Sequence, residues 1–357
     1  MARPAPHRGA AENPAGRFER IVLDADVGMG YADPLLDPED REPISPRTEL
    51  FRDPSRRAFA HNESPDIPFD TSLNPYRGCE HGCVYCFARP SHEFLGLSAG
   101  LDFETKLLVK DDLPRLVREA LSARRWRPQV VAVGAVTDAY QPVERRLRLT
   151  RRCLEVFAEF RNPLSIVTKS ALVTRDADLL GELARYQAAS VVISITSLDP
   201  SLQRVLEPRA AAPSRRLAAV RELTAAGIPV SVMVAPVIPG LNDHEAPAIV
   251  AAAAEAGALD VKHLMLRLPH GVKELFASWL ERHFPDRKEK VLRRVREMRG
   301  GRLNDPRFRH RHTGSGFFAD QTHALFELAC RRARLPGAPA LSAAAFRRPG
   351  GQQLSLL

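Results

Sequence analysis

Apolar segments rich in β-branched residues alternate with amphipathic segments through the middle of the chain, and this alternation constrains the fold most strongly. Near-continuous apolar runs are typical of parallel strands buried on both faces. We predict strands beginning at Val130, Leu164, Ser190, Val230 and Val261. Each precedes a predicted helix, at residues 146–160, 177–186, 214–226, 245–256 and 273–283. A strand just before residue 79 and a helix at residues 112–121 complete a sixth unit.

This alternation predicts an α/β fold with one parallel sheet covered by helices. Six β/α units are too few for a closed eight-stranded barrel, because closure couples strand number to tilt and stagger. We therefore predict a partial, TIM-like (β/α)6 barrel over residues 66–285. The flanking regions are predicted to be a mobile, largely irregular N-terminal segment at 1–65, a helical extension at 286–335 and a flexible tail at 336–357.

The chain shows no sign of export or membrane insertion. Its Pro-, Arg- and Gly-rich N-terminus has no apolar signal core, and no long apolar span follows. Only five cysteines occur, and two of them, Cys153 and Cys330, lie far apart in helical segments. This usage is typical of a reducing compartment. We therefore predict a cytoplasmic protein without a membrane partner.

The net charge of +9 suits a polyanionic partner such as DNA or a nucleotide. Only 7 of the 52 basic residues are Lys, and so strong a bias toward Arg can equally reflect genome composition. Arginine runs at residues 124–127, 145–152 and 307–311 could each contact phosphate. His310 and His312 in the last run could line a phosphate-binding loop, although a disordered linker explains that composition equally well.

Three cysteines, Cys79, Cys83 and Cys86, lie within eight residues in the spacing C-x3-C-x2-C. Three thiols cannot pair off as disulfides, but three thiolates can hold a metal. Iron–sulfur clusters usually have four Cys ligands, so three would leave one iron open to an outside ligand. A Cys3His zinc site that uses His81 or His92 remains an alternative, although zinc sites usually place two pairs around a longer loop. Unliganded buried cysteines are the third interpretation.

Polar residues concentrate after the predicted strands. Each of these segments follows a predicted strand: TDAYQP, Lys169-Ser170, LEPRA and PVIPGLND. The segments that precede strands show no such concentration of polar residues. A barrel with its site at the carboxyl ends of the strands has this asymmetry.

The segment SLNPYRGCEHGCVYCFARP resembles the radical S-adenosylmethionine (SAM) superfamily, whose loop reads C-x3-C-x-aromatic-C. TDAYQP, LEPRAAAPSRRL and APVIPGLND extend the resemblance to the spore photoproduct lyase-like, DNA repair photolyase-like branch over residues 66–335. The resemblance implies a radical SAM barrel in which Cys79, Cys83 and Cys86 bind a [4Fe-4S] cluster and the open iron binds SAM. It also implies reductive cleavage of SAM to a 5′-deoxyadenosyl radical that abstracts hydrogen from the substrate.

The resemblance further implies that the first strand ends contact the cofactor. Tyr85, the aromatic residue of the cysteine loop, is expected to pack on the adenine through its ring or to contact the base edge through its backbone, unless it is a plain core aromatic. Thr137 and Asp138 are expected to contact the amino group of SAM, because a carboxylate accepts hydrogen bonds from an ammonium. A helix N-cap is the structural alternative for Asp138.

Later strand ends carry the remaining implied contacts. Ser194 and Thr196 are expected at the ribose hydroxyls. Arg209 is expected to bind the methionine carboxylate through its forked guanidinium, unless it is a surface cation. Pro236 and Gly240 are expected to line the adenine, although Gly240 could simply serve a turn.

The departure from spore photoproduct lyase concerns the hydrogen donor. In the enzymes that reverse the spore lesion, a barrel cysteine returns a hydrogen atom to the product radical, and here the only barrel-region candidate, Cys153, lies on a predicted helix. Tyr140 could pass a hydrogen instead. The catalytic residues therefore stay unassigned, with Tyr140 and Cys153 as candidate relay residues.

The last five residues, Gln353–Leu357, resemble the QLSLF-type peptide with which bacterial repair and replication proteins bind the polymerase sliding clamp. A short extended peptide with apolar anchors at the end of a Pro- and Gly-rich tail is a suitable docking element. We predict a radical SAM enzyme that acts on a nucleic acid or nucleotide, with DNA repair as the proposed role and a reductase as electron donor. A non-enzymatic zinc- or cluster-containing nucleic-acid-binding protein is the alternative.

Overall fold

The computed structural model describes residues 8–10, 12–14, 17 and 47–349. The strands in this part of the chain are β1 (Glu49–Arg52), β2 (Ala60–His61), β3 (Thr71–Leu73), β4 (Tyr76–Arg77), β5 (Lys106–Val109), β6 (Val131–Val133), β7 (Leu164–Thr168), β8 (Ala189–Ser194), β9 (Val230–Val237) and β10 (Asp260–Met265). The helices are α1 (Asp102–Thr105), α2 (Leu113–Ser122), α3 (Glu144–Leu147), α4 (Leu149–Phe160), α5 (Ala177–Ala184), α6 (Pro200–Leu206), α7 (Pro213–Ala225), α8 (Ala246–Glu255), α9 (Val272–His283), α10 (Pro285–Met298) and α11 (Phe317–Ala333).

The larger sheet has six parallel strands in the order β10-β9-β8-β7-β6-β3. The short strand β2 pairs antiparallel with β3 and extends the sheet at that edge. The strand order ends at β10 on one side and at β2 on the other, so the sheet of the described residues is open. The prediction of an α/β fold with a partial, six-stranded barrel is confirmed.

Most strand boundaries follow the apolar segments, with one informative difference. The strand predicted to begin at Val130 is short and ends at Val133. It ends there because the next residue, Gly134, adopts φ +87°. The Gly134 N–H donates to the Leu73 carbonyl at 3.0 Å. A positive φ favours glycine, which has no Cβ. The chain therefore leaves the sheet early and forms a loop over its carboxyl edge before Thr137.

A second sheet, of three strands, is absent from the sequence-based prediction. β1 pairs parallel with β5, and β4 pairs antiparallel with β5. These strands have only two to four residues, which is too short for a hydrophobic period to be recognised. The small sheet positions the functional loop, because β4 ends two residues before Cys79.

The helices cover the large sheet through apolar faces. The buried residues of α2 recur at spacings of three and four: Leu113, Leu116, Val117 and Leu121. That helix packs against α4, in which Phe157 is fully buried. Burying one such large apolar side chain contributes about 1.5–3 kcal/mol.

Two helices, α10 and α11, occupy the region predicted as a helical extension, and they pack on α9 and α8. The tail beyond them needs a correction, because residues 336–349 are bound across the amino-terminal edge of the large sheet. Backbone N–H groups of the tail donate to carbonyls that precede strands: Gly337 to Leu259 at 2.8 Å, Ser342 to Gln187 at 2.9 Å and Arg347 to Phe160 at 2.9 Å. Composition alone cannot reveal such backbone hydrogen bonds. The clamp-like peptide Gln353–Leu357 lies outside the described residues.

The N-terminal segment also has a bound portion. Residues 8–10 are buried, and the N–H groups of Gly9 and Ala10 donate to the Glu104 carboxylate at 3.0 and 2.8 Å. The segment predicted to be mobile therefore contacts the barrel at these residues. In the part of the chain that the structure describes, no helix is long and apolar enough to cross a membrane.

Candidate functional site

The cysteine loop lies at the carboxyl edge of the large sheet and is held by backbone groups. Cys79 donates its N–H to the Phe103 carbonyl at 2.8 Å. The Cys83 carbonyl accepts from the guanidinium Nε of Arg89 at 2.9 Å, and this fully buried arginine also pairs with Glu104 at 2.5 Å. These contacts fix the course of the loop.

Two glycines allow that course. Gly78 adopts φ +83° and Gly82 φ +66°, a region in which a Cβ is strained. A Cβ on Gly78 would also lie 2.9 Å from the Phe103 carbonyl oxygen, within the contact that holds Cys79. We infer that this loop cannot tolerate a side chain at residue 78.

The three thiols lie close enough together for their charges to act on one another. Cys79 and Cys83 are buried and Cys86 is partly exposed, and all three are free. Burial, followed by the charges of Asp138, Cys83 and Cys86, raises the pKa of Cys79 well above its usual value. Burial and the charge of Glu207 raise the pKa of Cys83. A cluster must therefore displace thiol protons when it binds.

The zinc alternative gains no support from the histidines. His81 Nδ1 lies 3.3 Å from the Asp138 carboxylate, and His92 Nε2 lies 2.9 Å from the Lys106 carbonyl. Burial lowers the pKa of His92 to about 4. Among the described residues, no three His, Cys, Asp or Glu side chains converge closely enough to hold a single metal ion.

Arg209, predicted to bind a carboxylate of the cofactor, pairs with a carboxylate of the protein. Its Nη1 lies 3.1 Å from Glu80 Oε1, and its N–H donates to the His81 carbonyl at 3.2 Å. Glu80 also accepts from the Val143 N–H at 2.7 Å and from Thr48 Oγ1 at 2.6 Å. Arg209 and Glu80 therefore join the cysteine loop to the segment after α6.

Asp138, predicted to contact an amino group, is buried and already has several donors. It accepts from Thr168 Oγ1 at 2.7 Å and from the Lys169 and Tyr140 N–H groups at 2.8 and 2.9 Å. Burial alone would raise the pKa of Asp138, but His81 and these donors lower it below its usual range. The carboxylate stays charged and orients the loop through His81.

Thr137, the residue before Asp138, also binds the cysteine loop. Its hydroxyl donates to the Gly78 carbonyl at 2.6 Å and accepts from the Gln141 amide at 3.1 Å. Thr137 and Asp138 therefore lie against the cysteine loop, and their side chains bind protein groups there.

Tyr85 and Thr196 meet at Glu207, in a group that we call the Glu207 cluster (Tyr85, Thr196, Glu207 and Arg216). The hydroxyl of Thr196 donates to Glu207 Oε1 at 2.5 Å, and the Tyr85 hydroxyl and the Arg216 guanidinium donate to the same carboxylate. Burial alone would raise the pKa of Glu207, but Arg216 and Lys169 lower it. The cluster is fully enclosed and keeps its carboxylate ionised.

Lys169 lies beside this cluster, and the sequence places it after a strand without assigning it a contact. Its Nζ lies 5.9 Å from the ring centre of Tyr85. Burial alone would lower the pKa of Lys169, but the charges of Cys83 and Glu207 raise it. Within the described residues its ammonium makes no hydrogen bond or salt bridge. The position of Lys169 directly after a buried strand was the signal in the sequence.

The other predicted contact residues lie along the same edge. Ser194 Oγ lies 3.4 Å from the Ala235 carbonyl, and its own carbonyl accepts from Arg216 at 2.9 Å. Pro236 follows a cis peptide bond, and its carbonyl accepts from the Asn242 amide at 3.1 Å. Gly240 has φ +84° and forms a turn beside Arg294.

The candidate relay residue Tyr140 belongs to a second polar group, the Glu144 cluster (Tyr76, Tyr140, Glu144, Arg175 and Asp176). The Tyr140 hydroxyl donates to Asp176 at 3.0 Å, and the Tyr76 hydroxyl donates to Glu144. Arg175 binds Glu144 and Asp176, each at 2.8 Å. Cys153 is buried on α4, as the sequence predicted, and burial followed by the charge of Glu144 raises its pKa.

The histidine-rich segment is folded against the barrel. Arg311 pairs with Asp66 at 2.6 Å. His312 lies 3.8 Å from the same carboxylate, and burial followed by the charge of Arg267 lowers its pKa to about 4. The alternative of a disordered linker is therefore excluded for residues 307–316.

Comparison with known proteins agrees with this geometry. The family model of the radical SAM superfamily matches residues 73–253. The uncharacterised protein Rv2578c of Mycobacterium tuberculosis is 38% identical over 246 residues, which are 68% of this chain and 71% of that protein. The uncharacterised protein MJ0683 of Methanocaldococcus jannaschii is 31% identical over 173 residues, 48% of this chain and 62% of that protein.

Among solved structures, spore photoproduct lyase complexed with dinucleoside spore photoproduct matches with a TM-score of 0.58. The match covers 81% of this chain and 80% of that chain at 15% identity. At that identity the likeness shows the fold. It agrees with the partial barrel described above.

Proposed function

The chain belongs to the radical SAM superfamily and is a radical SAM enzyme, and from this premise we propose that it acts on a nucleic acid or a nucleotide, in DNA repair. Membership removes the non-enzymatic alternative. The superfamily uses a [4Fe-4S] cluster and SAM. When bound, the two together supply one-electron cleavage of SAM and a 5′-deoxyadenosyl radical.

The donor set of the loop fits this cofactor. Cys79, Cys83 and Cys86 would hold the cluster, because three thiols in one loop leave one iron open to an outside ligand. Asp138 orients His81, and the pair of Glu80 and Arg209 fixes the other side of the loop. These contacts position the thiols, and the predicted contact of Thr137 and Asp138 with the amino group of SAM stays part of the proposal.

The proposed contact between the protein and the carboxylate of SAM rests on Lys169. An ammonium beside Cys83 and Tyr85, with no hydrogen-bond or salt-bridge partner in the described residues, is suited to an anionic group next to the thiols. The methionine carboxylate of SAM is such a group, and a charged hydrogen bond to it would be strong. We assign that contact to Lys169 instead of Arg209, which is already paired with Glu80.

The other predicted contacts stay part of the proposal. Ser194 would face the ribose, and the segment from Pro236 to Gly240 would line the adenine. The Tyr85 and Thr196 hydroxyls both bind Glu207. Tyr85 would therefore contact the adenine through its ring, and Thr196 would help to hold the Glu207 cluster in place. Tyr140 remains a candidate hydrogen relay, although its hydroxyl hydrogen is donated to Asp176.

The nucleic-acid part of the proposal has two supports. The net charge is +9, and the fold matches that of spore photoproduct lyase in its complex with a dinucleoside photoproduct. The cysteine that donates hydrogen in that lyase has no counterpart at a strand end here, since Cys153 lies on α4. We therefore propose a nucleic-acid substrate without assigning spore photoproduct repair.

The test begins with anaerobic reconstitution. The protein should be brown with about four irons per chain, and Cys83→Ala should lose most of them. With dithionite and SAM the wild type should release 5′-deoxyadenosine, and a set of damaged oligonucleotides should then identify the substrate. A colourless protein that holds zinc, or release no greater than that of Cys83→Ala, would contradict the proposal.

The last proposal concerns partners. A cytoplasmic reductase would supply the electron, and Gln353–Leu357 would bind the polymerase sliding clamp as an extended peptide. Replacing Leu354 and Leu356 with Ala should weaken clamp binding by about a hundredfold, since anchor residues dominate such interfaces. Titration of the clamp with the full chain and with a chain that ends at Gly351 checks this. Equal binding by the two chains would contradict it.

A further inference from the structure

A basic groove lies beside the functional loop and has no role in the function proposed so far. The groove, which we call the edge groove, is lined mainly by residues 55–60 together with Ser72, Asn74, Arg77 and Lys110, and encloses about 380 Å³. It runs along the edge of the large sheet where β2 pairs with β3. Arg77 precedes Cys79 by two residues, so their Cα atoms are at most about 7 Å apart.

The edge groove contains more positive charge than its carboxylates balance. Arg56 and Arg57 are exposed, and within the described residues their side chains have no hydrogen bond or salt bridge. The Lys110 ammonium likewise has no such partner in that part of the chain. Arg77 alone is paired, with Asp53 at 2.7 Å.

Two acids beside the edge groove, Asp53 and Asp112, are already paired, and Asp111 next to Lys110 is exposed to solvent. Asp53 accepts from Arg77 and from the Ser55 hydroxyl at 2.6 Å. Asp112, which follows Lys110 by two residues, pairs with Arg52 at 3.2 Å on the outer side of β1. Burial and the charge of Arg77 lower the pKa of Lys110 although Asp53 opposes them. An anion in the groove would relieve this crowding of like charges.

The lining of the edge groove favours a polyanion over a single small phosphate. Its cations come from three separate segments of the chain, at Arg56 and Arg57, at Arg77 and at Lys110, which suits a ligand that carries several phosphates. Phe59 provides an apolar floor, with its ring stacked on Trp126 at 4.9 Å. Asn74 Oδ1 accepts from the Val136 N–H at 3.0 Å, so its amide hydrogens have no described partner and can donate to phosphate. Grooves that bind single strands combine these features.

We propose that the edge groove binds the sugar–phosphate backbone of the nucleic-acid strand whose base is presented to the cysteine loop. The inference deepens the proposed function and rests on it for the class of substrate. Arg56, Arg57 and Lys110 contact phosphates, and Arg77 and Asn74 guide the strand toward residue 79. Such contacts position the strand and carry no base specificity.

Binding of a fluorescein-labelled single strand of about 16 nucleotides to the reconstituted protein, measured by anisotropy at several salt concentrations, tests the proposal. R56E/R57E should raise Kd by at least about tenfold and reduce the salt dependence by about 1 to 2 in log–log slope, because two phosphate contacts are lost. K110M should have a smaller effect of about two- to fivefold. R293E/R296E is the control, since it makes the same charge change at exposed residues of α10.

Three results would contradict the proposal. R56E/R57E and the control could weaken oligonucleotide binding equally, or R56E/R57E could leave the oligonucleotide Kd unchanged. In the third, a polyglutamate peptide of equal charge would displace the oligonucleotide. Thermal unfolding verifies that each variant is folded, and R56Q/R57Q replaces the reversed pair if it does not fold. SAM cleavage by the wild type is measured in the same preparation. If the wild type does not cleave SAM, the proposed function is contradicted and the groove proposal is not. If the wild type cleaves SAM and R56E/R57E binds the oligonucleotide as tightly as the wild type does, only the groove proposal is contradicted.

Discussion

The Glu207 cluster and the Glu144 cluster are built alike and differ in one respect. In each, a buried tyrosine hydroxyl donates to a glutamate that also binds an arginine. In the Glu144 cluster, the arginine bridges two buried carboxylates, and Arg151 adds a further contact to Asp176 at 3.0 Å. Every charged group there has a partner. The Glu207 cluster instead lies beside Lys169, whose ammonium makes no hydrogen bond or salt bridge within the described residues.

This difference separates a group that holds the fold from a group that can accept a ligand. Buried charges that are fully paired stabilise one arrangement and leave nothing for an outside molecule. The charges of Cys83 and Glu207 keep Lys169 protonated, and an ammonium without a hydrogen bond or salt bridge in the described residues can bind an anionic ligand. We therefore expect substitutions in the Glu144 cluster to change stability, and substitutions at Lys169 to change SAM binding.

The largest effect is expected for Arg175→Met, which removes the cation that binds the buried carboxylates of Glu144 and Asp176. Because breaking a buried pair leaves an uncompensated charge, the free energy of unfolding should fall by about 3–5 kcal/mol. Urea denaturation measures the free energy of unfolding. Arg151→Met is the control and should lower it less, because Asp176 still has its salt bridge to Arg175. A loss below about 1 kcal/mol for Arg175→Met would mean that this cluster does not hold the fold.

Lys169→Met should have the opposite profile. The SAM affinity of the reconstituted protein should fall about ten- to hundredfold, or about 1.4–2.7 kcal/mol, with little change in stability, because no protein carboxylate loses a salt bridge. Equilibrium binding of SAM measures this. Lys262→Met is a matched control, because Lys262 is 69% exposed and pairs with Asp260 far from the thiols. Equal SAM binding by both variants would remove Lys169 from the site.

The sequence predicts the parts of this molecule that depend on local pattern. Apolar runs predict the parallel strands, and the cysteine spacing predicts the loop that carries the thiols. The partners of the charged residues depend on tertiary contacts and are not predictable in this way. Arg209 illustrates the limit, because the resemblance and its forked guanidinium implied a cofactor contact, whereas in the structure it follows α6 and pairs with Glu80, distant in sequence, at 3.1 Å.

The bound tail and the small sheet show the same limit. Gly337 and Ser342 are held through backbone N–H groups, which every non-proline residue carries, so their composition contains no signal. Strands of two to four residues are too short to show a period. Lys169 could have been identified, since it directly follows a buried strand, but the absence of a partner for its ammonium is visible only in the structure.

The smallest expected effect distinguishes the two tyrosines. Tyr76→Phe and Tyr85→Phe each remove one hydrogen bond to a glutamate that keeps its arginine, so each should cost about 1–1.5 kcal/mol of stability. Their effects on SAM should differ. Without the Tyr85 hydroxyl, Glu207 has one donor fewer and attracts the Lys169 ammonium more strongly, which draws that cation away from the ligand. Tyr85→Phe should therefore weaken SAM binding by about two- to fivefold, whereas Tyr76→Phe should leave it unchanged. Titration of both reconstituted variants with SAM measures this difference, and equal dissociation constants would show that the two clusters are alike in function as well as in structure.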